Sequence, residues 1–214
     1  MGRPASLSRD RIVEAAVGVI ESEGPDRLTA RRLGEVLGVD PTSMYRHFIN
    51  MAELERAVGD RFLDHVDVSA DADDSWQAVV RRVCVGVRAA QVARPHLARY
   101  AQGAPPRLAN EQRITEALLQ QLDRAGLAIG AAANAYHALI ELTVGSAAID
   151  GALATRPVVE REDVYHAWRS DYAALDPQAR PHCVAAAPHM YRGSADERFV
   201  FALDLLIEAI AARC

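Results

Sequence analysis

One stretch of 21 residues, from Leu28 to Phe48, limits the fold more than any other part of the chain. It reads as two short helices around a tight turn. Thr29 can cap the first helix, and Leu33, Val36 and Leu37 recur at helical spacing as a buried stripe. Gly38 follows, where a left-handed backbone is cheap only for glycine. Asp40 then caps a second helix whose first position is Pro41, where the missing N–H is no loss. Met44 and Phe48 lie one turn apart and point inward, while Thr42, Ser43 and Arg46 share an outer face with no acid on it. The pattern predicts a helix-turn-helix with Pro41 to Phe48 as its recognition helix.

The outer face has the chemistry of DNA readout. Arg46 can pair in bidentate fashion with guanine N7 and O6, and Thr42 and Ser43 can reach base edges or a thymine methyl. Tyr45, His47 and Arg31 suit phosphate oxygens, which hold register without reading sequence. A third helix precedes this pair, with Ser8 as its N-cap, Leu7 and Ile12 as a hydrophobic staple, and Ile12, Ala16, Val19 and Ile20 as its inner stripe. Gly2-Arg3-Pro4 ahead of it is either an arm that reaches DNA or a disordered start.

Residues 8–58 resemble the N-terminal domain of TetR-family transcriptional regulators, through Leu28-Thr29-Ala30-Arg31-Arg32-Leu33, Leu37-Gly38-Val39 and Tyr45-Arg46-His47-Phe48. The resemblance implies a homodimeric repressor that binds palindromic operator DNA and is released by a small-molecule effector. It places DNA contacts at Arg31, Thr42, Ser43, Tyr45, Arg46 and His47. One departure stands out. A lysine usually follows the asparagine that opens the next helix, and here Met51 follows Asn50, so that phosphate contact is missing.

Composition fits the same picture. The net charge of −5 argues against a nonspecific nucleic-acid coat, although a regulator needs only a local basic face. Three cysteines without CxxC spacing point to a reducing compartment and give neither a disulfide framework nor a zinc site. The most apolar stretch, residues 127–149, is interrupted by Asn134, His137 and Glu141, so a buried helix is expected there and no membrane span. A cytoplasmic protein follows from these readings. No HExxH, P-loop, GxGxxG or GxSxG pattern occurs, and the histidines are dispersed singly, so no enzyme, cofactor or metal is expected. A helical ligand-binding or protein-interaction module that has lost specific DNA binding stays open as the alternative, because of Met51.

The predicted fold is all-α: an N-terminal three-helix helix-turn-helix domain plus a helical-bundle ligand-binding and dimerisation domain. Residues 1–66 form the DNA-binding domain with its connecting helix, whose stripe is Leu54, Ala57, Val58, Phe62 and Val66; residues 67–214 form the second domain. The acidic run from Asp67 to Asp74 marks the boundary. Further helices are expected over 76–93, 96–103, 108–125, 131–153, 160–174 and 196–212, with Pro177, Pro181 and Pro188 breaking up the stretch before the last.

Ser75-Trp76-Gln77, Gly126-Leu127, Thr143-Val144-Gly145 and the run 199–207 resemble the C-terminal domain of tetracycline-repressor-type proteins. The positions that would contact drug and magnesium there fall on Val83, Val87, Ala101, Pro105 and Ala117, none of which can ligate a cation. The resemblance therefore implies the scaffold with a more apolar effector, lined by Val83, Val87, Tyr100, Tyr136, His137 and Ile140. The last helix carries Phe199, Leu203, Leu206, Ile207 and Ile210 on one apolar face. That face packs either within its own subunit or across a dimer, and the resemblance favours the dimer.

Overall fold

The computed structural model describes residues 7–102, 106–154 and 157–214. The Gly2-Arg3-Pro4 arm and Pro105 lie outside the described residues. Among those described there are ten α-helices, three short 3-10 segments and no strand.

The N-terminal unit is assembled by its caps. Helix α1 (Arg9–Glu23) starts where the Ser8 side chain accepts from the Arg11 N–H, and ends at Gly24, whose φ is 92°. Helix α2 (Ala30–Leu37) starts where Thr29 accepts from the Arg32 N–H, and ends at Gly38 with φ 67°. The recognition element, Pro41–Arg46, is a 3-10 segment capped by Asp40. Its i→i+3 bonds include Ser43 N–H to the Asp40 carbonyl at 2.9 Å and His47 N–H to the Met44 carbonyl at 2.8 Å. Helix α3 (Met51–Arg61) opens on Asn50, whose side chain accepts from the Glu53 N–H, while Glu53 reaches back to the Ile49 N–H at 2.6 Å. Ile12, Ala16, Ile20, Leu33, Met44, Leu54 and Val58 close this core.

Two expectations change here. Val36 is 46% exposed, since a helix of eight residues buries one narrow stripe, and Leu33 with Gly34 already fill it. The connecting helix stops at Arg61, so Phe62, Leu63 and Val66 are buried from an irregular tail rather than from its stripe.

The second part comprises α4 (Trp76–Ala93), α5 (Pro95–Gln102), α6 (Ala109–Arg124), α7 (Ile129–Ala154), α8 (Val158–Ala173), α9 (Pro181–Ala186) and α10 (Ala195–Ala211). Pro181 opens α9 at a first-turn position rather than breaking the chain there. Helix α4 lies at the centre, against α6, α7 and α10. Arg88 of α4 is 4% exposed and binds α7 and α10 together: it donates to Ser146 Oγ at 3.0 Å, pairs with Asp150 and Asp196, and stacks over Phe199 at 5.0 Å. A buried cation survives only with such partners. The acidic run is likewise paired, with Asp67 and Asp74 at 3.4 and 3.0 Å from Arg82. The cysteines are free, and burial pushes the Cys84 thiol up to about 11. Among the described residues no helix is long and apolar enough to cross a membrane.

Candidate nucleic-acid interface and effector cavity

The 3-10 geometry of the recognition element sorts its side chains by threes, because positions i and i+3 eclipse. Pro41, Met44 and His47 form the inner row, with Met44 2% exposed and the other two half-buried. Thr42 and Tyr45 form a second row, and Ser43 and Arg46 a third. Thr42, Tyr45 and Arg46 are exposed and Ser43 half-exposed, so four of the predicted DNA contacts present one surface. His47 leans toward the interior instead.

Three contacts hold this surface in place. Gly34 lets the element sit close to α2: a Cβ there would stand 2.9 Å from the Val39 carbonyl and 3.0 Å from Pro41 Cγ. The Asp40 carboxylate accepts from both the Thr42 N–H, at 2.8 Å, and its hydroxyl, at 2.5 Å. These two bonds, the hydroxyl's first, hold its carboxyl below the usual aspartate range. Arg9, which sequence reasoning passed over, stacks over Phe48 at 4.1 Å, donates to the His47 carbonyl and pairs with Glu53 at 2.9 Å. No local pattern marks that role, since the partners lie 38 and 44 residues away.

Nearby cations differ in how they are engaged. Arg32 pairs with Glu23 at 2.7 Å and Glu35 at 3.1 Å, and Arg31 with Glu35 at 3.2 Å. Among the described residues Arg46 has no acidic partner. Met51 is half-buried against the core, and Ile49, beside the recognition element, is 85% exposed.

A cavity of about 80 Å³ opens between the tail of α3 and helices α4, α6 and α7. Its walls are largely apolar, with Leu63, Val87, Pro106, Ile114, Ile140 and Val144 among them, and its polar lining residues are Gln91, Glu111, Thr115 and Tyr136. Three of the six predicted ligand residues, Val87, Tyr136 and Ile140, therefore meet there. Val83 is fully buried in the core one turn away from Val87 and does not line it. Tyr100 turns the other way, its hydroxyl 3.4 Å from the Pro25 carbonyl. His137 is exposed, because one residue along a helix rotates a side chain by about 100° from Tyr136. Glu111, Thr115 and Gln91 were missed; nothing in their local sequence distinguishes them from ordinary helix positions.

The two sites are mechanically joined. Asp60 of α3, 7% exposed, caps α6 from outside: its carboxylate accepts from the Asn110 and Glu111 N–H groups at 3.2 and 2.9 Å. Leu108, at the N-cap position itself, offers no side-chain cap. In return Arg113 of α6 donates to the Val66, Leu63 and Asp64 carbonyls at 2.8, 3.1 and 3.2 Å, in the stretch that follows α3. Gly59 brings α3 against α5, where a Cβ would stand 2.8 Å from the Tyr100 carbonyl oxygen.

Helices α7 and α10 pack against each other, and both also carry exposed apolar side chains. Phe199, Leu203, Ile207 and Ile210 are at most 6% exposed inside their own subunit, and Leu206 is half-buried against the same core. The strong stripe of α10 therefore builds the subunit interior, correcting its assignment to a dimer contact. The exposed apolar side chains are Phe201 at 67%, Leu205 at 51% and, on α7, Ile149 at 68%. Gly145 on α7 would meet nothing within 4 Å if given a Cβ, so that face is open to a close neighbour.

Comparison with known proteins agrees with this layout. The family described as "Bacterial regulatory proteins, tetR family" matches residues 12–58, and "Tetracyclin repressor-like, C-terminal domain" matches residues 69–214. The tetracycline repressor protein class A from transposon 1721 of Escherichia coli is 32% identical over 142 residues, covering 65% of this chain and 65% of that protein. The chain thus aligns with somewhat less than two thirds of that relative's length. Two solved structures from Streptomyces coelicolor align over nearly their whole length. ActR in complex with actinorhodin has a TM-score of 0.86 at 28% identity, covering 97% of this chain and 98% of that one. The transcriptional regulator SCO7222 has a TM-score of 0.82 at 31% identity, covering 97% and 99%. With a helix-turn-helix matched at one end and the repressor-type bundle over the rest, the chain belongs to the TetR family of bacterial regulatory proteins.

Proposed function

We propose that the protein is a cytoplasmic, homodimeric transcriptional repressor that leaves its palindromic operator when a small, largely apolar effector enters the cavity of the second domain. The observation that carries this reading is the exposed row of Ser43 and Arg46 beside Thr42 and Tyr45, on an element locked by caps and packed glycine. Arg46 reads guanine, Thr42 and Ser43 read neighbouring base edges, and Tyr45 with Arg31 holds phosphate. Arg31 must share its charge with Glu35 to do so. His47 contributes from the half-buried row, through its ring edge.

Residues 1–66 act as the DNA-binding unit and residues 67–214 as the effector and dimer unit. The dimer forms through the outer face of α7 and α10, where Phe201, Leu205 and Ile149 meet their counterparts beside Gly145. Two recognition elements then face half-sites about one turn apart. ActR, similar over its full length, holds actinorhodin, which supports an effector in the equivalent bundle here. Val87, Tyr136 and Ile140 line its site together with Thr115 and Glu111. Displacement of α6 by the effector passes through Asp60 and Arg113 to α3, and so to the recognition element. Coupling of this type amounts to about 5–150-fold in affinity.

The test is selection of bound sequences from random duplex DNA at physiological salt, with Arg46→Ala alongside. A palindromic consensus that loses selectivity at one base pair per half-site in the variant supports the reading, with a cost of about 1–3 kcal/mol. Uniform weakening on all sequences would reduce Arg46 to a phosphate contact. No enrichment from a folded dimer would leave a helical ligand-binding module without specific DNA recognition.

A further inference from the structure

The cavity's polar wall is a chain of three groups with a fixed direction. Thr115 Oγ1 donates to Glu111 Oε1 at 2.8 Å, and the same Oγ1 lies 2.8 Å from the Tyr136 hydroxyl. A threonine hydroxyl carries one proton, and a carboxylate accepts only. With Thr115's proton committed to Glu111, the second bond must be donated by Tyr136. The phenol's proton is then turned away from any occupant, and its oxygen meets the cavity as an acceptor.

We infer that this relay selects effectors by polarity: an apolar body carrying a hydroxyl or N–H donor that reaches Tyr136, with carbonyl, ether and carboxylate groups rejected at that position. The inference rests on the proposed effector role of the cavity. An acceptor placed against Tyr136 would set two lone pairs face to face and leave the phenol oxygen unsatisfied. An anionic group would also stand beside the Glu111 carboxylate, which lines the same wall. Selection by one buried hydrogen bond is worth about tenfold in affinity.

The direction of the chain can be unlocked. In Glu111→Gln the amide can either accept from Thr115 or donate to it. In the second arrangement Thr115 donates to Tyr136 and the phenol proton faces the cavity. That variant should lose most of the preference for a donor.

The experiment measures binding of phenol, anisole and toluene to the full chain by ligand-observed NMR, for the native protein, Tyr136→Phe and Glu111→Gln, each checked for unchanged helix content. The expected result is phenol about tenfold tighter than anisole in the native protein, no preference in Tyr136→Phe, and a clearly smaller preference in Glu111→Gln. Equal affinity of phenol and anisole for the native protein overturns the donor rule and leaves the effector cavity standing. A phenol preference that persists in Tyr136→Phe overturns the assignment to this relay. Failure of all three compounds to bind, with operator binding intact, overturns the cavity as the effector site and the donor rule with it.

Discussion

The recognition end and the proposed effector cavity are built on opposite plans. Around residues 29–50 nearly every determinant is local: Thr29 caps Arg32, Asp40 caps Thr42, Asn50 caps Glu53, and Gly38 turns the chain. The cavity draws on the tail of α3 and on α4, α6 and α7, and its wall joins Thr115 to Tyr136 across 21 residues. On the proposed function, local determinants place the surface that meets the phosphate-lined groove, and long-range packing places the one that must suit a particular ligand. A family can therefore hold the first steady and vary the second by changing single side chains on fixed helices.

The sharpest way to break this contrast is at the longest range, across subunits. Phe201→Asp puts a charge on the outside of α10, where Phe201 is 67% exposed, without touching the subunit core. It should convert the dimer to a folded monomer by light scattering, with operator affinity lower by on the order of 100-fold. An unchanged dimer would move the interface elsewhere.

Next in size is the joint between the two regions. Asp60→Ala strips the start of α6 of its only side-chain cap among the described residues and leaves the Asn110 and Glu111 N–H groups unpaired. Urea unfolding should show a loss of about 2–3 kcal/mol. The response of DNA binding to effector should weaken at the same time. A stability loss with full effector response would show that coupling runs by another route, such as the Gly59 contact with α5.

The smallest effect belongs to the local plan. The Asp40 carboxyl is depressed by the Thr42 hydroxyl and N–H. A group whose folded value is lowered contributes stability above its unfolded value and loses it as pH falls through the folded one. Native protein and Asp40→Ala should therefore differ modestly at neutral pH and converge in acid. Parallel pH profiles in thermal melts would show that the carboxylate does not carry this cap.

What could be read from the chain alone follows this division. The caps at Ser8, Thr29, Asp40 and Asn50, the turn at Gly38, and the extent of α4 came directly from residue type and spacing, because each depends on neighbours within about four positions. The elements of the proposed dimer face, α7 and α10, were also legible, yet their contact residues were not. Apolar periodicity finds the deepest face of a helix, and on α10 the core takes it, leaving Phe201 and Leu205 outside. The resemblance placed both Tyr136 and His137 at the cavity, and of the two only Tyr136 lines it. The 3-10 winding of the recognition element, the Asp60 and Arg113 exchange and the Glu111–Thr115–Tyr136 relay arose only with the tertiary structure. Each depends on groups brought together across tens of residues, or on a short segment yielding its preferred geometry to the packing around it, and no local rule encodes either.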